Sequence, residues 1–553
     1  MTQEPNLQSK SESGDSELYR NEEDHAEVGI VSSKVDSGDI PVLCSICQQT
    51  IYPHQLFYHK KEHKALALLG YRHLWIETDT QNLILQRQQL ISSLIKSSKY
   101  TERDKQKIDC SLELLKNKSK GVSYFNGDSI LDSFGYFKKV NNSLIKALAI
   151  WQDKNSTWRA DMEDTFIVLD NYGNRPDTCF LGLFDGYHGV FAAETVSAEL
   201  PLLFLDQLSQ TDSSYQVTEK EKQILDSFAT VIKGNYRNQE VVFSGKTDNN
   251  KTTEPNTYEW IHKAYAKSFW RMDRLLQLGR NEVSKVRWSS CTAVTCLVER
   301  INNEKEKSIK EQEETKLLEE NSSNSAQSPN SSAGILHIAN IGNVHAVLCK
   351  NGKSYCLTKE HSTCNSKERD RILQKGGNIS TNEPKGLVEG LIRATRGLGH
   401  HGDPKLKKSV IPVPHTISVP IDDSCQFLIL ASNGLWEVLD KNEVVVLTLR
   451  MFTAYLKMCA QDSSEEVQHQ EGSKEVKQLE DYTKAYLSNN HGLHSQTASK
   501  REINSVTFYD SAANYISKQL VKTAIAAGSR DNITILVALL HGCDRIPNYI
   551  KNV

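Results

Sequence analysis

The hydrophobic pattern changes period along the chain. Across residues 80–115 it is helical: Leu83, Leu90 and Leu94 fall on one stripe, and Ile108, Leu112 and Leu115 recur at i, i+4 and i+7. Two amphipathic helices are predicted here, packed on each other or on the main domain, and Thr101 with Asp104 supplies a capping signal for the second. Beyond residue 145 short β-rich runs alternate with turn signals. The clearest are 335–341, 346–349 and 354–357, the last two separated by Asn351-Gly352, a dipeptide that favours a type I′ hairpin and hence antiparallel sheet. Three polar stretches, about 207–257, 301–333 and 461–504, interrupt the pattern and read as exposed insertions, with helix expected around 304–320. Apolar runs such as 535–540 and 444–447 fall well short of the roughly 18 residues of a membrane span, so a soluble protein is expected.

A length of 553 residues admits about three domains or one large domain with appendages. The 66 Lys+Arg nearly balance the 69 Asp+Glu, and a net charge of -3 argues against general nucleic-acid or membrane-surface binding. The imbalance is local. Residues 1–40 carry ten acidic against three basic residues and no aromatic except Tyr19, the composition of a disordered acidic tail. The first residues lack the basic start and apolar stretch of a secretory signal, so an intracellular location is expected, with cytoplasm and nucleus both open. In a reducing compartment the 12 cysteines serve as thiols or metal ligands rather than disulfides.

Four of the candidate ligands stand together in sequence. Cys44 and Cys47 are two residues apart, His59 follows after eleven more and His63 after a further three, giving C-x2-C-x11-H-x3-H. Zinc takes four tetrahedral nitrogen or sulfur ligands, and a Cys hairpin followed by two His one helical turn apart supplies them with little chain. Ile51 and Leu56 are expected to form the small core between the two pairs. Residues 41–66 thus resemble a Cys2His2 zinc finger whose middle spacer is one residue shorter than the usual twelve or so. The competing reading is a hydrophobic cysteine segment followed by a basic, solvated helix, HKKEHK. One finger contacts only about 3 bp and no tandem array is present, so a structural or protein-binding role is expected before DNA reading.

A second set of motifs is spread over the rest of the chain. Arg159-Ala160-Asp161-Met162-Glu163-Asp164 comes first, then a strand-like FLGLF leading to Asp185-Gly186-Tyr187-His188-Gly189, where glycine lets a carbonyl and a carboxylate approach one ion together. Ser290-Cys291-Thr292-Ala293, Ala339-Asn340-Ile341-Gly342-Asn343, Thr395-Arg396-Gly397-Leu398-Gly399, Ala431-Ser432-Asn433-Gly434-Leu435-Trp436-Glu437 and Gly528-Ser529-Arg530-Asp531-Asn532-Ile533-Thr534 follow. Each is weak alone, but their order is specific. In it the chain resembles the metal-dependent serine/threonine protein phosphatases of type 2C, over about residues 145–541 once the insertions are discounted.

The resemblance implies an α+β fold, a four-layer αββα sandwich of two antiparallel sheets flanked by helices, with a two-metal site at the sheet edge. It also implies Mg²⁺ or Mn²⁺ as cofactor and a phosphorylated protein as partner. Hydrolysis at such a site uses oxygen-ligated metal to lower the pKa of an attacking water, and a cation to orient the phosphate. By position, Arg159 matches the phosphate-binding arginine, Glu163, Asp185 and the carbonyl of Gly186 match the ligands of one metal with Asp185 bridging, and Asp531 matches a ligand of the second.

The sequence also departs from the pattern. Asn433 stands where a metal-ligating aspartate is expected, Asn343 where the aspartate of an additional metal site is expected, and Tyr187 where the family places a histidine proposed as general acid. His188 is displaced by one residue as a candidate substitute, and His400 also replaces an aspartate. Three carboxylates then remain against two divalent ions, a neutral Asn holds a hard cation less tightly, and a Tyr hydroxyl is a poor acid near neutrality. The leading expectation is a pseudophosphatase that binds phosphoprotein with little or no hydrolysis. The alternatives are a weak Mg²⁺/Mn²⁺-dependent phosphatase with His188 turned inward, and a nucleic-acid-associated regulator using the zinc module. The expected division is an acidic tail at 1–40, the zinc module at 41–66, a helical extension at 67–144, the phosphatase-like domain at 145–541 and a tail at 542–553.

Overall fold

The computed structural model describes residues 40–71, 79–97, 100–116, 133–137, 139–236, 257–280, 283, 285–301, 334–381, 386–465 and 498–550. Strands β1 (Val42–Leu43) and β2 (Thr50–Ile51) form a small antiparallel hairpin followed by helix α1 (Pro53–Leu68). Pro53 opens α1, where its missing N–H would have no intrahelical acceptor anyway. Helices α2 (Thr80–Lys96) and α3 (Glu102–Lys116) follow. Leu83, Ile108, Leu112 and Leu115 meet Ala65 and Leu66 of α1 and Leu69 just after it, so the predicted stripes close on each other and on the preceding helix. The Thr101 hydroxyl accepts the Asp104 N–H at 3.1 Å, the capping contact its spacing suggests.

The remaining strands are β3 (Ser133–Phe137), β4 (Ile145–Asp153), β5 (Thr165–Leu169), β6 (Thr178–Tyr187), β7 (Ser290–Arg300), β8 (Gly334–Ile341), β9 (His345–Lys350), β10 (Lys353–Cys356), β11 (Leu398–Gly399), β12 (His415–Ile421), β13 (Cys425–Ala431) and β14 (Ile533–Leu540). They build two antiparallel sheets. One runs β10-β9-β13-β14-β4-β3 and the other β12-β8-β7-β6-β5, with β11 beside β7. The apolar runs explain why the sheets stack. Along β14, Leu536, Ala538 and Leu540 face the opposite sheet, where they join Leu181 and Leu183 of β6 and Leu336 and Ile338 of β8. The alternate residues Ile533, Ile535, Val537 and Leu539 pack on the helices Lys441–Glu465 and Ala498–Ala526. On the outer face of the second sheet, Phe180, Phe184 and Ile341 pack on α4 (Phe191–Ser209) and the helix Glu259–Leu278. Helix, sheet, sheet and helix therefore form four layers. Strands buried on both faces read as continuous apolar runs.

Asn351 and Gly352 both have positive φ, 51° and 70°, as a type I′ turn requires, and they connect β9 to β10. The run 335–341 does not pair with 346–349: β8 and β9 lie in different sheets, and the chain crosses between them at Gly342–Val344.

Several expected boundaries change. The sheet begins before residue 145, because β3 pairs with β4 along Ser133 to Phe137. Residues 207–236 are not an exposed insertion: Tyr215, Leu225, Phe228 and Val231 are buried against α4 and Glu259–Leu278, a sparse apolar set that the surrounding polar residues conceal in sequence. Residues 542–550 are not a tail either, since Cys543 and Ile546 close the core beneath β13 and β14. The helices flanking 461–504 extend to Glu465 and start again at Ala498. The acidic tail through Asp39 and the helix expected around 304–320 lie outside the described residues. Among the described residues no helix is long and apolar enough to cross a membrane.

Arg300 and Gly334 are register partners across the β7–β8 pair, so residues 302–333 bridge the end of a hairpin. Replacing them with an Asn-Gly turn shortens the loop by about three doublings, each changing closure entropy by roughly 0.6 kcal/mol. The expected result is a thermal midpoint unchanged or raised by an amount worth up to about 2 kcal/mol. Calorimetry of the shortened chain checks this, and a lower midpoint or lost soluble yield would refute it.

Candidate functional site

Both sheets end at one cleft. The sheet containing β14 supplies Arg159 from the loop after β4, Asn433 just after β13 and Asp531 just before β14. The other supplies Glu163 just before β5, Asp185 and Gly186 near the end of β6, and Asn343 just after β8. Asn532 ties the loops together: its Oδ1 accepts the Glu163 N–H at 2.9 Å, while its Nδ2 donates to the carbonyls of Lys154 and Asp161 at 2.8 and 3.0 Å. Asn155 clamps the other side, donating to the carbonyls of Ser529 and Asp531 at 2.8 and 3.1 Å. Gly186 is needed for proximity. A Cβ there would fall 2.3 Å from the Glu163 carbonyl oxygen, so only glycine lets β6 reach this loop.

The carboxylates of the cleft are held by protein donors. Arg159 Nη2 lies 2.6 Å from Asp531 Oδ1, and Asn433 Nδ2 donates to Asp531 Oδ2 at 3.0 Å, so both oxygens of Asp531 are engaged. The Asn433 backbone N–H donates to Asp185 Oδ2 at 3.2 Å, and the Gly189 N–H donates to Glu163 Oε1 at 2.6 Å. Asn343 sits one strand over from Asp185: Thr292, whose hydroxyl donates to Asn343 Oδ1 at 3.3 Å, is the register partner of Asp185 on β7. Burial, with Asp164 and Asp531 nearby, pushes the Asp185 carboxyl well above the usual carboxylate range. Burial also lifts Asp164 to about 7, although the Thr534 hydroxyl donates to it at 2.8 Å.

Tyr187 stands within electrostatic range of Arg159 and Glu163, but its hydrogen bond goes elsewhere. Its hydroxyl donates to the Leu391 carbonyl at 3.4 Å, and its ring packs on the cluster of Ile372, Val388, Ile392, Leu406 and Val410. Burial raises its pKa further. His188 does not turn inward; it is exposed, at φ 60°, and stacks on Tyr187 with ring centroids 4.1 Å apart. His400 is buried 6.2 Å from the Tyr187 ring, with burial lowering its pKa to about 4. Sequence reasoning quoted Asn532 and Asp164 only as motif members and missed Asn155, whose polar side chain carries no periodic signal.

The four predicted zinc ligands also come together. Their ligand atoms lie within 4.8 Å of one another. Cys44 Sγ is 3.5 Å from His63 Nε2, Cys47 Sγ is 3.2 Å from His59 Nε2, and the two Nε2 atoms are 3.0 Å apart. A tetrahedral zinc with bonds of about 2.3 Å to sulfur and about 2.0 Å to nitrogen spaces its ligands by roughly 3.3–3.8 Å. The hairpin and α1 form the ββα frame expected of a finger, but Leu56 does not build a private core. It enters the same cluster as Val42, Val444 and Ala527, so the module shares the core of the main domain.

Comparison with known proteins agrees with this architecture. The profile of the protein phosphatase 2C family matches residues 263–476. The chain is 44% identical to the human protein phosphatase 2C-like domain-containing protein 1, over 91% of this chain and 89% of that protein. The mouse protein of the same name is 40% identical over 92% of this chain and 90% of its own length. The Saccharomyces cerevisiae protein phosphatase 2C homolog 1 is 26% identical over 54% of this chain and 79% of its own. The extent of the human and mouse matches decides the assignment: the chain belongs to the protein phosphatase 2C family.

Proposed function

We propose that this chain is a pseudophosphatase, a module that binds phosphorylated protein through Arg159 and the cleft around Asp185 and hydrolyses it little or not at all. The observation that carries this reading is the hydrogen bond from Asn433 Nδ2 to Asp531 Oδ2. Two carboxylates at these positions would repel and call for a cation between them. An amide facing a carboxylate satisfies it without one. The family is Mg²⁺/Mn²⁺-dependent, and the donors here fit one such ion better than two. Glu163, Asp185 and the Gly186 carbonyl are hard oxygen donors brought together by a cradle that a Cβ at 186 would fill. Bound there, the ion would supply charge to hold a phosphate oxygen or activate a water. Arg159 is 37% exposed at the cleft mouth and can present its remaining N–H groups to a phosphate. Tyr187, bonded toward Leu391, is poorly placed to protonate a leaving group. The outward His188 favours this reading over a weak phosphatase.

Calorimetric titration of the full chain with Mn²⁺ tests it. One site is expected in the native protein and a second after Asn433→Asp. Two equal sites in the native chain would remove the basis of the proposal.

The N-terminal cluster is proposed to hold one zinc ion through Cys44, Cys47, His59 and His63. Purified full chain is expected to contain one equivalent of zinc by elemental analysis, and Cys47→Ala is expected to lose it while keeping the sheets folded. Zinc content indifferent to that substitution would count against the site. A nucleic-acid role is less supported, because Lys60 on the finger helix is spent in an ion pair with Glu443 of the main domain.

A further inference from the structure

We propose that the zinc module is an internal brace, through which zinc occupancy sets the two loops that carry Asn433 and Asp531. The proposal rests on the zinc reading above. It starts from where the module touches the main domain. Ser45, next to the ligand Cys44, donates its N–H to Glu443 Oε1 at 3.3 Å and its hydroxyl to Asp440. Lys60, next to the ligand His59, pairs with Glu443 Oε2 and donates to the Val438 carbonyl at 2.7 Å. Every one of these contacts is one residue from a zinc ligand, so the ion that fixes the ligands also fixes the contacts.

The receiving end is equally specific. Glu443 is 1% exposed, and with Asp440 it caps the helix Lys441–Glu465: Asp440 Oδ1 accepts the Glu443 N–H at 3.0 Å and Glu443 Oε2 accepts the Asp440 N–H at 3.0 Å. A buried carboxylate needs its cation, and Lys60 supplies one. The same stretch of chain runs back through Glu437 to Asn433. Glu437 Oε1 accepts the Ser529 hydroxyl at 3.0 Å and the Arg530 N–H at 2.7 Å, which holds the loop presenting Asp531. A second contact reaches that loop directly: Phe57 of α1 lies 3.4 Å from where a side chain on Gly528 would stand. The module therefore bears on both segments, 433–443 and 528–531, whose ends meet in the Asn433–Asp531 hydrogen bond. Coupling between two sites is reciprocal in binding free energy, so an occupant of the cleft that favours the braced loops is also expected to tighten zinc binding.

Hydrogen exchange by mass spectrometry on the full chain tests this, before and after a zinc-selective chelator strips the metal. Exchange within 433–443 and 528–533 is expected to accelerate at least tenfold on stripping, with β6 and β7 unchanged. Lys60→Met, which keeps all four ligands, is expected to retain zinc and still loosen both segments. Three results would overturn the proposal. Unchanged protection in a zinc-depleted chain would leave the zinc site standing but uncoupled. Equal loosening of β6 and β7 would reduce the effect to global stability. A chain that never holds zinc would remove the zinc reading and the brace together, without bearing on the pseudophosphatase reading.

Discussion

The double substitution Asn433→Asp with Tyr187→His is expected to raise Mn²⁺-dependent hydrolysis of a phosphopeptide by about 10²–10⁴-fold, the usual contribution of a positioned general acid once a metal is held. Neither change suffices alone. Asn433→Asp replaces the hydrogen bond to Asp531 with a pair of carboxylates that only a cation can reconcile, so it restores a metal ligand without an acid. Tyr187→His removes the hydroxyl now bonded to Leu391 and restores an imidazole, but without a well-held second metal. Groups that act as one catalytic unit are strongly non-additive. An activated aryl phosphate, whose leaving group scarcely needs protonation, should respond mainly to Asn433→Asp, and adding Asn343→Asp should help further if the additional metal site matters. Steady-state kinetics on both substrates makes the check. Native turnover already at about 1–10³ s⁻¹ would contradict the reading. So would a folded double revertant that binds two metals and does nothing.

Acidification below pH 6.5 is expected to destabilise the fold steeply. Four histidines are held neutral by burial: His345 and His361 have their pKa lowered to about 3, and His400 and His415 to about 4. A depressed pKa means that the unfolded chain takes a proton near 6.5 which the native state refuses. Stability is therefore full above 6.5 and falls until the folded pKa is reached. Asp164, raised to about 7, works the other way because it takes a proton in the native state first, and the upward shift of the buried Asp185 acts in the same direction. Four histidines against these carboxyls leave a net uptake on unfolding of about two to three protons by pH 5, a loss of roughly 4 kcal/mol between pH 6.5 and 5. That is a large part of a typical stability of about 5–15 kcal/mol, yet in a fold of this size it lowers the midpoint by only about 4 °C. His361→Asn keeps an acceptor for the Gly342 N–H, which His361 Nδ1 now accepts at 3.1 Å, while removing the titrating group. Its midpoint should depend less on pH. Calorimetry from pH 7 to 5 decides, and a flat or rising midpoint would mean that these histidines protonate within the fold.

Much of the site was legible because its chemistry is written in short motifs. The Arg159, Glu163 and Asp185 segments are separated from Asn433 and Asp531 by 248 residues or more, yet each carries its own turn or strand end, and the sheet topology brings them to one cleft. Chain order and residue type also revealed the missing carboxylate at 433. The zinc ligands were legible for a similar reason, since four ligands within 20 residues need only a hairpin and one helical turn.

What the sequence by itself determined was local: the short apolar runs such as that of β14, the Asn351-Gly352 turn, the helix stripes of 80–115 and the identity of the polar residues at the site. Only the tertiary structure decided which of those polar groups satisfy one another. No spacing rule predicts that Arg159 and Asn433 both spend themselves on Asp531, that Tyr187 turns to Leu391, or that Lys60 finds Glu443 across 383 residues of chain. The sparse apolar residues of 207–236 and 542–550 were missed for the same reason. Burial is a property of what the rest of the chain places opposite a side chain, and periodicity reports only the face on which it lies.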